Sequence, residues 1–115
     1  MLVTPLLQGA YFVATGVWPI VHFPSFERVT GPKFDAWLVK TLAGVLTVTG
    51  GVLLYAARSR RPSDSVRVLG VATAGALAAS DVIYVAERRI PPVYLLDAAA
   101  EAAFIAGWLF EPSKH

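Results

Sequence analysis

Four apolar runs divide the chain, and their lengths leave few folds open to it. They cover Leu2 to His22, Ala36 to Ala57, Val66 to Ala86 and Val93 to Phe110. Each approaches the ~20 residues that an α-helix needs to cross a hydrocarbon core about 30 Å thick. A helical bundle in water keeps polar outer faces, and "LAGVLTVTGGVLLYAA" and "LGVATAGALAA" offer none. Charged residues make up 16% of the 115, well below the roughly 25% of an ordinary soluble domain. The expectation is an all-α integral membrane four-helix bundle, a single domain over residues 1–115 with up-down-up-down spans. The first run lacks a basic leader and a small-residue cleavage site, so it reads as a span rather than a removable signal peptide.

Pro19 lacks a backbone donor and is expected to bend the first helix one turn before its end. "PSFERVTGPKFD" reads as a turn-rich connector, with Thr30 and Gly31 as a stop and Pro32 as the next helix start. Phe23, Phe26 and Phe34 would keep it at the membrane interface. "RSRRPSDSVR" is a short basic loop, and the paired prolines of "ERRIPPV" allow a tight reversal. Arg58, Arg60, Arg61 and Arg67 share a side with both termini; Arg28, Lys33, Arg88 and Arg89 lie on the other. Four arginines in one short loop favour cytoplasmic termini in the cell (inner) membrane.

Composition removes several function classes. The net charge of +2 comes from arginines between the runs, not from a basic stripe, so nucleic acid is not an expected partner. With no cysteine and two histidines, thiol chemistry, thiolate sites and haem ligation are not expected. No metal or other cofactor is expected either. Small residues recur at helical spacing: Ala74 and Ala78; Ala99, Ala103 and Gly107; Gly44 and Gly51. In lipid such positions let helix backbones approach, and they are the expected packing contacts.

The last run contains what a hydrocarbon span avoids. "VYLLDAAAEAAFIAGW" carries Asp97 and Glu101 four residues apart. At 1.5 Å per residue, Glu101 falls near mid-span, with Asp81 and Asp97 about 7 Å from the middle of theirs. A charge at the bilayer centre costs about 2.5–3.5 kcal/mol even on a lenient scale, so such residues face the bundle interior. Polar and aromatic residues also line up at steps of three and four, which places them on one helix face. Span one shows Gln8, Tyr11, Thr15, Trp18 and His22; span two, Trp37, Lys40, Gly44 and Thr47; span three, Asp81, Tyr84 and Arg88; span four, Tyr94, Asp97, Glu101, Phe104 and Trp108. Four such stripes turned inward would line a cavity. The candidate catalytic residues are Asp81, Asp97, Glu101 and His22. The candidate ligand-binding residues are Tyr11, Trp18, Lys40, Tyr84 and Trp108.

"GVWPIVHFPSFERVTGPKFDAWLVKT" and "DVIYVAERRIPPVYLLDAAAE" resemble segments of small four-span bacterial membrane proteins. The likeness covers most of the chain and implies the fold without an activity. In architecture alone, the chain is similar to the sterol-isomerase and sigma-2-receptor group, whose members keep acids, a histidine and aromatics inside a bundle that admits lipophilic ligands. Small multidrug transporters share the short four-span subunit and a membrane acid, but theirs lies in the first span, where this chain has none.

The leading expectation is a membrane-embedded pocket for a small lipophilic molecule, able to support acid–base chemistry such as isomerisation, cyclisation or hydration. A second is a proton-coupled transporter, built as a dimer. A third is a structural subunit in which the acids pair with Lys40 or Arg88. The lipid bilayer is the common partner of all three.

Overall fold

The computed structural model describes residues 3–31, 36–58 and 63–110. They form five helices and no strand: α1 Val3–Val21, α2 Phe23–Thr30, α3 Ala36–Ala56, α4 Asp64–Ala86 and α5 Tyr94–Phe110. Leu2, Pro32, Lys33, Phe34, Arg60 and Arg61, named above, lie outside the described residues.

One of these helices corrects the expected architecture. The stretch after His22 is not an irregular connector but α2, turned 115° from α1. Local chemistry explains it. The His22 ring Nδ1 accepts from the Ser25 N–H at 3.3 Å, and Pro24 sits in the first turn, where its missing donor is harmless. Trp18 Nε1 donates to Ser25 Oγ at 2.8 Å, and the Trp18 and Phe26 rings meet edge to face at 5.4 Å. The cap thereby also ties α2 back onto α1. Gly31 ends it at φ 95°, where its N–H reaches the Glu27 carbonyl at 2.8 Å. Only glycine takes that conformation without strain, and an added Cβ would lie 2.8 Å from Pro91 Cγ.

The other helix ends have local causes. Ser63 caps α4 by accepting from Val66 N–H at 3.2 Å, and Asp64 follows in the first turn, both favourable at a helix start. At its far end Arg88 adopts φ 60°, and Arg89 N–H closes on the Tyr84 carbonyl at 2.9 Å. Pro91 and Pro92 then open α5, their carbonyls accepting from Tyr94 and Leu95.

α3 and α4 are each long and apolar enough to cross a membrane. α1 meets the same measure only together with α2, as one bent segment. α5 is 17 residues long, at the short end of the ~17–25 residues that can span. Large apolar side chains face outward along these helices: Val48 is 69% exposed, Tyr55 73%, Leu96 72% and Leu109 73%. A protein in water rarely leaves so much apolar surface bare; in lipid it needs no cover.

Packing divides the helices into two antiparallel pairs, α1 with α3 and α4 with α5. α1 also touches α5, whereas α3 and α4, although consecutive, meet only lightly. The α1–α3 seam is backbone against backbone. A Cβ on Gly9 would lie 2.7 Å from the Gly50 carbonyl oxygen, and one on Gly50 2.7 Å from that of Gly9. Gly16 packs onto the Ala43 carbonyl in the same way. The expected contact glycines are not these. Gly44 and Gly51 have nothing within 4 Å of an added Cβ. The seam runs one residue earlier, through Ala43 and Gly50, and one residue is about 100° of helix rotation. Of the expected small contacts, Gly107 does meet a neighbour, Thr4.

Candidate functional site

Near the α2 end the two pairs stand apart around a cavity of about 530 Å³. Its wall is mainly apolar, with Phe12, Pro19, Val39, Leu42, Leu46 and Leu77 contributing from α1, α3 and α4. α2 closes one side through Phe26, Val29 and Thr30. Phe12 of this wall also meets Phe104 of α5 edge to face at 6.5 Å.

Into this apolar wall α4 brings Asp81, and α5 brings Asp97 and Glu101. Asp97 stands near enough to both of the others to interact with each. It also accepts a hydrogen bond from the Tyr11 hydroxyl of α1, while the Tyr11 ring packs on Phe104 at 5.5 Å. The other two acids have Asp97 as a neighbour but no hydroxyl, amide or cationic donor. Glu101 is 1% exposed, and neither of its carboxyl oxygens has a hydrogen-bond partner. Asp81 is 7% exposed, and its Oδ2 is likewise unpartnered. Buried polar atoms are almost always paired, and an unpaired one costs about 1–3 kcal/mol or more when charged. Such atoms at a cavity wall mark a place where something else completes the bonding.

Of the nine candidate residues, five meet here: Tyr11, Trp18, Asp81, Asp97 and Glu101. The remaining four, His22, Lys40, Tyr84 and Trp108, lie elsewhere. His22 is exposed and serves as the α2 cap. Lys40 is exposed, with its ammonium 5.5 Å from the Phe23 ring centroid. Tyr84 is 44% exposed; three residues after Asp81 is about 60° short of a full turn, and that rotates it out of the seam. Arg88 lies in the exposed turn after α4. Neither Lys40 nor Arg88 forms an ion pair with the acids. Among the described residues, no three His, Cys, Asp or Glu side chains converge to hold a metal ion.

Trp108 belongs to a different polar knot, toward the other end of α1. Its Nε1 donates to Gln8 Oε1 at 2.6 Å, and Gln8 Nε2 donates to the Gly70 carbonyl at 3.0 Å. Arg67 donates to the Trp108 carbonyl, its guanidinium 5.8 Å from the indole centroid. Gln8 and Trp108 are both fully buried. This knot joins α1, α4 and α5 and closes the bundle beyond the cavity.

Of the α2 residues of the wall, the sequence placed Phe26 and Thr30 in a connector and gave Val29 no role. Phe23, Phe26 and Thr30 follow at steps of three and four, a helical signal, but Pro24, Gly31 and Pro32 outweighed it. Histidine is also not among the usual cap residues, so no familiar start signal marked α2.

Comparison of the chain with protein-family models, curated proteins and solved structures finds no match.

Proposed function

We propose that this chain is a four-span membrane protein whose helices enclose a pocket for a small lipophilic molecule. The observation that carries the reading is Glu101: a carboxyl 1% exposed, with both oxygens unpartnered, at the wall of a cavity of about 530 Å³. That volume lies within the ~300–1,000 Å³ typical of small-molecule sites. α5 acts as the fourth span, short but within range. The basic loop between α3 and α4 sets the termini on the cytoplasmic side of the cell membrane. The light α3–α4 contact gives a ligand dissolved in the bilayer a lateral way in.

The arrangement suits proton chemistry as well as binding. Three carboxyls with one tyrosine hydroxyl can hold, give and take a proton at a bound apolar molecule. A role for the acids as ion-pair partners of Lys40 or Arg88 is less well supported, because neither cation reaches them.

Mass spectrometry of molecules that copurify with the protein in lipid nanodiscs tests the reading. A small lipophilic species retained by the wild type is expected to be lost in Glu101→Gln and in Ala76→Phe, which fills the cavity from α4 and leaves the acids intact. No retained species in the wild type, or equal retention in both variants, would sink it.

A further inference from the structure

Resting on that pocket reading, we propose that the occupant is a lipophilic amine, held as its ammonium by Glu101 and Asp81. The inference comes from which polar groups of the wall are already engaged. The Tyr11 hydroxyl donates to Asp97. Thr15 Oγ1 donates to the Tyr11 carbonyl at 2.8 Å, and Thr30 Oγ1 to the Phe26 carbonyl at 2.8 Å. The Trp18 indole donates to Ser25. These donors are turned back into the protein, and the one other hydroxyl of the wall without such a bond, that of Ser80, lies at its exposed edge. The buried groups left over are acceptors: both oxygens of Glu101 and Oδ2 of Asp81.

Charge points the same way. No Lys, Arg or His is among the described residues of the wall, and Lys40 rests on Phe23 instead. Each buried carboxyl must then be neutralised either by its own proton or by a cation brought from outside. An alkylammonium supplies several donors and the positive charge together. A neutral alcohol supplies one donor and no charge, and a carboxylate or phosphate ligand adds charge of the wrong sign. The rest of the wall suits the apolar part of such a molecule, and the rings of Tyr11, Trp18, Phe26 and Tyr94 can face a cation.

The test uses three probes on one skeleton: an octyl chain bearing a terminal phenyl ring and ending in a primary amine, an alcohol or a carboxylate. Binding to the full chain in neutral-lipid nanodiscs is measured against empty discs. The amine is expected to bind at least about tenfold more tightly than the alcohol, and the carboxylate most weakly. In Glu101→Gln the preference for the amine should collapse. Asp81→Asn provides the second variant if the first does not fold. Equal binding of amine and alcohol, or a preference for the carboxylate, overturns the amine while leaving the pocket in place. An amine preference that survives in both variants overturns the assignment to these two carboxyls. Binding of none of the three above the empty discs overturns the pocket reading and the amine with it.

Discussion

The Tyr11 hydroxyl on α1 donates to the Asp97 carboxyl on α5, so one of three neighbouring acids is anchored by the protein itself while the other two keep unpartnered oxygens. This asymmetry separates the acid that positions from the acids that receive. Tyr11→Phe deletes the anchor and leaves Asp97, in a partly buried seam, with only the two other acids beside it. A loss of about 1–3 kcal/mol in unfolding free energy is expected, read from thermal or denaturant unfolding in a fixed detergent. An unchanged midpoint would show that the bond does not contribute.

Glu101 should behave in the opposite sense. An unpartnered buried carboxyl destabilises the empty protein, so Glu101→Leu is expected to raise its stability by about 1–3 kcal/mol. The same variant should no longer retain a copurifying molecule. A fall in stability instead would mean that Glu101 holds the fold together.

Glycines on α3 provide a paired test of packing. At Gly50 a side chain meets the α1 backbone, so Gly50→Leu is expected to cost at least about 1–3 kcal/mol by overpacking. Gly44 faces open space, and Gly44→Ala should stabilise by about 0.5–1 kcal/mol through helix propensity alone. Comparison of the two unfolding midpoints checks the register of the seam. Equal effects would place it elsewhere.

The Gln8 amide joins α1 to α4 and α5 through Gly70 and Trp108. Gln8→Leu removes both bonds and leaves the Trp108 N–H buried without a partner, a loss of about 1–3 kcal/mol. Ligand retention should persist, because the knot lies outside the cavity. Loss of retention in folded Gln8→Leu would tie the two regions together.

His22 is a cap rather than a member of the acid cluster. Substituting an N-cap side chain typically costs about 0.5–2 kcal/mol, so His22→Ala should loosen α2 before anything else. Hydrogen exchange is expected to speed up at the first amides of α2 and remain unchanged in α4. Uniform change across the helices would argue against a local role.

The linear order of residues determined the helical class and the apolar lengths, and it exposed the misfit of Asp81, Asp97 and Glu101. These are properties of composition and of spacing along one helix, where three or four residues define a face. It could not determine which face met which neighbour. Gly44 and Gly51 repeat as regularly as Ala43 and Gly50, yet only the latter pair lies in the α1–α3 seam, because a rotation of about 100° separates them. The same kind of rotation buries Asp81 and exposes Tyr84. Likewise, the contacts of Trp18 and His22 with Ser25 hold α2 over the cavity. Which acid found a donor and which remained unpartnered was decided between helices, by the distances at which separate faces came to rest.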